Sequence, residues 1–208
     1  MRQMLRILPV LTACFSLALG GMAFARTGQE IAAVFDTGVT AYDAGNYEQA
    51  FRIWWDLQYE DVAAMRNVAM MLRKGQGTAR DPKLAVRIYE RAAEAGLPTA
   101  QADLADMLLK GEGGDPDPKA ALPLLQAAAA ANHPVAQFQL AQMFETGANG
   151  LVPQNLDVAR QLYTSAAARG LKEAAERLKI IGPANTPTPP APPGSHATLA
   201  PMPPAARP

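Results

Sequence analysis

The sequence predicts an all-α protein, an α/α solenoid built from short helix pairs. Three observations support this fold class: the same residue types return every 36 residues, each period contains two amphipathic helix patterns, and glycines or Asp-Pro pairs stand between the helices. One unit of such a repeat buries its apolar face only against its neighbours. The internal period therefore predicts the fold class even before the individual helices are assigned.

Composition indicates a folded chain without a strong electrostatic preference. Hydrophobic residues make up 49 % of the 208 residues, which suffices for a packed core. The 19 basic and 19 acidic residues balance, and removal of Arg2 and Arg6 with the leader leaves 17 against 19, a net charge of −2. This balance does not favour nucleic acid or an anionic membrane as a partner.

Residues 1–25 have the layout of a secretory signal peptide. Two arginines precede an apolar run over 7–19, and Ala23 and Ala25 are small residues of the kind that a signal peptidase reads. We expect cleavage after Ala25. A membrane anchor is the alternative, although the run is short for a hydrocarbon layer about 30 Å thick.

The only cysteine, Cys14, leaves a second route of processing open. Leu11–Cys14 resembles the box of a bacterial lipoprotein, in which the cysteine becomes the lipidated first residue. Against this route, residues 15–19 continue the apolar run instead of opening a polar tether. Cleavage after Ala25 leaves a chain without cysteine, hence without a disulfide, and without stable membrane insertion. The sequence thus predicts a periplasmic or secreted protein.

Residues 26–62 are interpreted as a degenerate first unit that caps the array. Trp54 falls at the aromatic core position of the later units, whereas Trp55 aligns with polar residues. A terminal unit must cover its open end, so we expect Trp55 to pack beneath Ile31–Phe35. The alternative is that Trp55 marks a contact site.

The repeat array proper covers residues 63–182. The first two units superimpose without a gap and share alanines, a Met-Leu pair, two glycines and the tripeptide Asp-Pro-Lys. The third unit matches when two extra residues are allowed in the loop 148–154, and Gly182-Pro183 stops the last helix. The units are 63–98, 99–134 and 135–172, followed by a C-terminal cap helix that ends at 181.

Each unit is predicted to contain two helices, named helix A and helix B. In the second unit, Leu104 and Leu108 belong to the apolar stripe of helix A, and glycines end it. Helix B begins at Asp117-Pro118, with aspartate as N-cap and proline in the first turn. Pro123 lies within this helix and should kink or shorten it.

These marks resemble the Sel-one-like repeat (SLR) family, a relative of the tetratricopeptide repeat (TPR). The paired alanines, the Met-Leu or Met-Phe before the glycine loop, the Gly-x-Gly loop and the Asp-Pro-Lys opening carry the resemblance over about residues 36–182. It implies SLR/TPR-like helix pairs with helix A on the inner wall, and a role as adaptor or scaffold. Some secreted members are cysteine-rich and have been associated with penicillin binding or β-lactam hydrolysis; the processed chain lacks those cysteines.

Residues 183–208 differ abruptly from the array in composition. Proline, alanine and threonine dominate, as in Thr186–Pro193. Such a stretch cannot bury a core and favours extended polyproline II. We expect a disordered, solvated Pro-rich tail; a docking peptide and a spacer toward the cell wall are the alternatives.

Catalytic and metal-binding constellations do not assemble in this sequence. His133 and His196 are the only histidines, no cysteines pair, and the Gly-x-Gly motifs join two helices instead of opening a phosphate loop. Carboxylate pairs such as Glu60-Asp61 are interpreted as helix caps and loop residues. We therefore expect no enzymatic activity, no cofactor and no metal.

Helix A of each unit also has a side turned away from its core stripe, and this side is the candidate binding surface. Its charge changes from basic through acidic to amide-rich along the array, and apolar anchors accompany it. The alternative is a solvated face on which pairs such as Arg73 and Asp106 bridge neighbouring helices. The surface, named the A face, consists of Arg66, Asn67, Met70, Arg73, Asp103, Asp106, Lys110, Phe138, Gln139, Gln142 and Glu145, with Lys74, Ala102, Leu109 and Thr146 at equivalent offsets.

Together these observations predict an exported, periplasmic adaptor or scaffold that binds a protein or peptide partner of the cell envelope on its A face. Two alternatives are a cell-wall-directed enzyme, such as a β-lactam hydrolase, and a peptidoglycan-associated structural protein. The pattern carries no information on the oligomeric state.

Overall fold

The computed structural model describes residues 26–182, and the helices within this range form one continuous array. The predicted leader with Cys14 and the Pro-rich tail lie outside the described residues. In chain order the helices are α1 (Gly28–Asp43), α2 (Tyr47–Leu57), α3 (Val62–Lys74), α4 (Pro82–Glu94), α5 (Pro98–Lys110), α6 (Pro118–Ala130), α7 (Pro134–Thr146), α8 (Leu156–Ala168) and α9 (Lys172–Ile181).

Each helix packs against the helices that precede and follow it, and the described range contains no strand. This is the arrangement of a solenoid, in which every unit contacts only its neighbours. The all-α solenoid fold is therefore confirmed. Helix A of the three full units is α3, α5 and α7, and helix B is α4, α6 and α8.

The core follows the 36-residue period. Ala64, Ala100 and Ala136 are completely buried at the start of each helix A, where a larger side chain would push the neighbouring helices apart. Tyr89 and Tyr163 are buried on helix B, and Leu125 takes that position in the second unit. Alanines that allow close approach, together with large side chains such as Met71 and Met107 on helix A and Tyr89 on helix B, thus fill the interfaces.

The helix boundaries in the structure agree with the capping signals of the sequence. Asp81 Oδ1 accepts a hydrogen bond from the Leu84 N–H, and Asp117 Oδ1 accepts one from the Ala120 N–H, both at 2.9 Å. These carboxylates satisfy donors that a helix N-terminus leaves open. The predicted N-caps of helix B are confirmed.

The second glycine of each Gly-x-Gly loop lets two consecutive units approach closely. Gly113 has a φ of 93°, and a Cβ on it would lie 2.7 Å from the Pro82 carbonyl oxygen at the start of α4. Gly77 stands in the same relation to Tyr47, at 2.2 Å. No side chain larger than hydrogen fits such an approach, so the loop glycines connect repeats as well as helices.

The shortening of the helix that was one of the two expected effects of Pro123 does not occur. Helix α6 runs through Pro123 for 13 residues, the same length as α4 and α5. Pro123 is exposed on the outer side of α6, and packing of the buried residues Ala121, Leu125 and Ala128 holds the helix together despite the missing N–H.

Trp55 also differs from its prediction. Phe35 packs against Trp54, with ring centroids 5.9 Å apart, and the Trp54 indole N–H donates to the Phe35 carbonyl oxygen at 3.3 Å. Trp55 is 36 % exposed, and its ring lies beside Phe51. Adjacent helical residues point about 100° apart. Since Trp54 enters the core beneath α1, Trp55 turns outward.

Within the described range, no helix has the combination of length and apolar character that crossing a membrane requires.

Candidate functional site: the A face

The A face extends across three neighbouring helices, α3, α5 and α7. Most of its side chains are half-buried, because helix A packs on one side against its own helix B and on the other against the preceding one. The outermost side chains are Lys74, Lys110, Gln142 and Thr146. Asn67 is half-buried on α3. The free surface is therefore a narrow strip.

Arg73 is the centre of an ionic cluster between the first two full units. Its guanidinium donates to Asp106 Oδ2 at 2.5 Å and to both oxygens of Glu112 at 2.6 and 2.7 Å. Lys110 Nζ adds a contact to Asp106 Oδ2 at 2.9 Å. The side chains of Arg73 and Asp106 are only 18 % and 19 % exposed. This bidentate, partly desolvated geometry is the strong form of an ion pair.

A second ion pair and an amide extend the connection along the array. Arg66 Nε donates to Asp103 Oδ2 at 2.7 Å, which again joins α3 to α5. Gln139 Nε2 donates to Asp106 Oδ1 at 2.9 Å and so joins α7 to α5. Asp106 thus accepts hydrogen bonds from side chains of all three A helices. The pairing of Arg73 with Asp106, which the sequence offered as an alternative, is present.

Electrostatics within the cluster favour the charged carboxylates. Burial alone would raise the pKa of Asp106, but hydrogen bonds from Lys110 and Arg73 outweigh it and lower that pKa. The hydrogen bonds from Arg73 likewise lower the pKa of Glu112, and those from Glu112 raise the pKa of the guanidinium. These shifts keep Arg73, Asp106 and Glu112 charged at neutral pH.

Glu145 faces the end of the array. It accepts a hydrogen bond from the Tyr163 hydroxyl at 2.7 Å and is clamped by Arg177 of α9, whose Nε lies 2.9 Å from Oε2. The Arg177 hydrogen bond lowers the pKa of Glu145 although partial burial opposes it, and the hydroxyl adds to the lowering. The predicted face residue Glu145 is thereby engaged in holding the C-terminal cap helix.

The apolar anchors of the A face lie partly in the core. Met70, Leu109 and Phe138 are half-buried against core clusters, and the Phe138 ring lies 5.4 Å from that of Tyr163. Ala102, expected to face outward, is 2 % exposed because the second core cluster encloses it. The prediction assumed that a neighbouring helix covers only one side of helix A. In the structure, two helices flank it.

One polar atom of the A face lacks a partner among the described residues. Gln139 Oε1 is buried and accepts no hydrogen bond there, although the same amide donates to Asp106. Buried amide oxygens without a donor are uncommon in folded proteins. The acceptor lies next to Asp106, at the middle of the three-helix surface.

The described residues show no group of three or more His, Cys, Asp or Glu side chains that could hold a metal ion. His133, a candidate considered from sequence, acts as the N-cap of α7: its Nδ1 accepts a hydrogen bond from the Ala136 N–H at 3.4 Å. Burial lowers the pKa of this imidazole, which favours the neutral acceptor form. The role of His133 as a cap was missed because histidine is not among the usual capping residues.

The geometry defines a class of protein: a helix-pair solenoid that presents a strip of fixed polar groups along its A helices. The Sel1 repeat family model matches residues 62–97, 98–133 and 134–171, more than half of the chain. The chain belongs to the Sel1 repeat family. Sel1 repeat proteins generally mediate protein–protein interaction.

Solved structures with the same fold agree with this assignment. A Sel1 repeat protein from Oxalobacter formigenes is 30 % identical, with a TM-score of 0.66, over 71 % of this chain and 60 % of that one. A protective antigen of uropathogenic Escherichia coli that displays an SLR fold is 25 % identical, with a TM-score of 0.67, over 73 % and 33 %. The chain therefore spans less than two thirds of either neighbour.

A more distant neighbour shares the fold alone. An immunity protein from Pseudomonas aeruginosa is 19 % identical, with a TM-score of 0.54, over 73 % of this chain and 58 % of that one. No curated protein matches the sequence.

Proposed function

We propose that this protein is an exported adaptor without enzymatic activity, which binds an extended peptide or loop of a cell-envelope protein along its A face. The observation that carries the proposal is the row of polar groups across α3, α5 and α7, three helices that the bonds of Arg73 and Gln139 to Asp106 hold together. A surface on helices that are already fixed relative to one another needs little backbone rearrangement when a partner docks.

The exposed chemistry of the strip suits a peptide backbone. Asn67 and Gln142 carry side-chain amides, which can donate to a peptide carbonyl and accept from a peptide N–H. Lys110 remains 59 % exposed despite its contact with Asp106 and adds a positive charge for an acidic side chain of the partner.

Export is the second element of the proposal. It rests on the signal-peptide layout of residues 1–25, with processing after Ala25. The periplasm is the compartment that this layout supports, so the partner is sought in the cell envelope. Fractionation of cells that express the full chain tests it: a shortened species in the periplasmic fraction agrees, and an unshortened cytoplasmic species contradicts export.

The binding surface is tested by affinity capture from envelope extracts with matched charge changes. Lys110→Glu with Gln142→Arg alters the A face. Lys83→Glu with Gln126→Arg makes the same changes on exposed positions of helix B. We expect the A-face variant to lose a protein that the wild type and the helix B control both retain. Equal retention by all three would refute the assignment of the surface.

A further inference from the structure

A stripe of three aromatic side chains lies on α2 and its C-terminal turn, outside the A face. Phe51 and Trp55 are four residues apart and share one side of α2, and Tyr59 follows two residues after α2 ends at Leu57. Trp55 is 36 % and Tyr59 70 % exposed, and the rings of Phe51 and Trp55 lie 5.4 Å apart. The Arg91 guanidinium lies 5.3 Å from the Tyr59 ring centroid. This set is named the aromatic stripe.

Repeat packing does not account for the aromatic stripe. At the position of Trp55 the later units have Glu90, Gln126 and Thr164, which are all exposed. The helix pair of a unit therefore needs no large apolar residue there. Phe51 is half-buried against the core, so the exposed part of the stripe consists of Trp55 and Tyr59, two large aromatic side chains that mark a candidate contact surface.

We propose that the aromatic stripe binds the Pro-rich segment Thr186–Pro193 of a second copy of this chain. Proline lacks a backbone N–H, so such a segment mainly offers carbonyl acceptors and flat apolar rings. The stripe offers the complement: aromatic faces, the indole N–H of Trp55 and the hydroxyl of Tyr59. Aromatic surfaces that recognise polyproline II use this combination, and the stiff ligand loses little entropy.

The dimensions of the two elements agree. Phe51 and Trp55 lie about 6 Å apart along α2 at 1.5 Å per residue, and Tyr59 follows in the turn after the helix. A polyproline II stretch of two residues covers a similar length, about 6 Å at 3.1 Å per residue. The segment Pro189–Pro193 contains four prolines within five positions, so it can place several rings against the stripe at once.

The position of the tail favours a second copy over the same chain. Helix α9 and the aromatic stripe of α2 belong to opposite ends of the array. Packed helices lie about 8–10 Å apart, and three repeat steps separate α2 from α8, so these two helices lie about 24–30 Å apart. Thr186 follows the end of α9 by five residues, which reach at most about 18 Å. The whole segment from Thr186 on therefore cannot lie on its own α2, although its last prolines can approach it, and the oligomeric state of the wild type distinguishes the two arrangements.

Binding of this kind joins the tail end of one copy to the first unit of the next. Such a contact is heterologous, and unless the rotation closes it continues into a chain of copies. The A face is not involved, so the inference is independent of the proposed adaptor function: loss of self-association would leave the capture experiment above unaffected.

Sedimentation velocity with two complementary variants tests the proposal. The full chain is expressed with residues 1–25 so that any natural processing takes place. One variant is Trp55→Thr with an intact tail; the other keeps Trp55 and replaces Pro187, Pro189, Pro190, Pro192 and Pro193 by serine. Gln126→Thr, at the equivalent exposed position of α6, is the control. Thermal melting checks that each variant is folded, and a modest decrease is expected for Trp55→Thr because its indole is 36 % exposed and lies 5.4 Å from the Phe51 ring.

We expect the sedimentation coefficient of wild type and Gln126→Thr to rise with concentration up to the millimolar range. Each of the two variants alone should associate at least about tenfold more weakly, and their equimolar mixture should form a one-to-one complex, because it contains one intact stripe and one intact tail. A monomeric wild type, undiminished association of Trp55→Thr, or a mixture that stays monomeric would overturn the proposal. Binding of the tail to the aromatic stripe of its own chain would appear as a monomeric wild type.

Discussion

Single ionic residues on the A face are engaged in pairs that join one repeat to the next. The repeat period alone predicted that Arg73 lies near Asp106, since the two residues belong to the same side of adjacent A helices. It was not enough to find Glu112 or Arg177, which approach from a loop and from the terminal helix. Their positions depend on loop geometry and on packing of α9, which side-chain periodicity does not encode.

Removing the Arg73 guanidinium should destabilise the fold and alter its response to acid. Arg73→Met leaves two partly buried carboxylates without their main partner, and we expect a loss of about 1–3 kcal/mol in the free energy of unfolding at pH 7. Arg52→Met removes the ion pair with Glu48, in which the arginine side chain is 75 % exposed. This variant should change the free energy of unfolding by less than about 0.5 kcal/mol. Urea unfolding at neutral pH measures both.

The pH dependence has a defined sign. The folded-state pKa values of Asp106, Glu112 and Glu145 are lowered, so their contribution to stability is present above the unfolded values near pH 4 and is lost as pH falls through the folded ones. The wild type should therefore lose stability progressively below about pH 5. Arg73→Met should lose less; an equal acid sensitivity of the two proteins would contradict the role of the cluster.

A single added methyl group should distinguish the two glycines of one loop. Gly113→Ala places a Cβ 2.7 Å from the Pro82 carbonyl oxygen at a positive φ, and we expect it to cost about 1–3 kcal/mol. Gly114→Ala meets no atom within 4 Å, so its effect should stay within about 0.5 kcal/mol. Thermal and urea unfolding provide the comparison, and similar stabilities of the two variants would show that the units do not approach closely here.

At the scale of the helix, local signals predicted the beginnings of helix B and the ends of helix A. Aspartate N-caps, proline in the first turn and glycine after the last turn are short-range devices, so they can be read without knowing the packing. Pro123 and Trp55 show the limit. The helix-breaking tendency of Pro123 is outweighed by burial of Leu125 and its neighbours. The orientation of Trp55 depends on which side of α2 is covered by α1.

Replacing the internal proline of α6 should stabilise the protein. Pro123→Ala restores a backbone hydrogen bond and removes a steric conflict at an exposed position, so we expect a gain of about 1–3 kcal/mol in the free energy of unfolding. Pro118→Ala is the control, because proline in the first turn lacks no intrahelical bond and should be nearly neutral. A Pro123→Ala protein no more stable than wild type would mean that the helix is already adapted to the ring.

At the scale of the whole molecule, the repeat made the fold predictable and left the surface partly undetermined. A period fixes which residues are equivalent and therefore which face their neighbours. The period does not reveal that two helices flank helix A. Because they do, Ala102 and the apolar residues Met70 and Phe138 lie deeper than expected. The free part of the A face is the strip with Lys74, Lys110, Gln142 and Thr146, and the half-buried Asn67 lies on the same face.

Linear packing also predicts a gradient of local stability. Helices α1 and α9 each pack mainly on one neighbour, whereas α4, α5 and α6 pack on both sides. Hydrogen exchange followed by mass spectrometry should therefore show the slowest exchange in α4–α6 and the fastest at the two ends. Uniform protection along the chain would indicate a single cooperative unit instead of a stack of coupled repeats.

The central claim, that a partner binds the A face, is tested most directly by photocrosslinking in living cells. Photoreactive residues are best placed at Asn67, Lys110 and Gln142, because Arg73 and Asp106 are occupied with each other. Matched positions on helix B are Glu90, Gln126 and Thr164, all exposed. The account predicts that one envelope protein is captured from the three A-face positions and not from helix B. Capture confined to the helix B positions, or none above background from the A face, would contradict it.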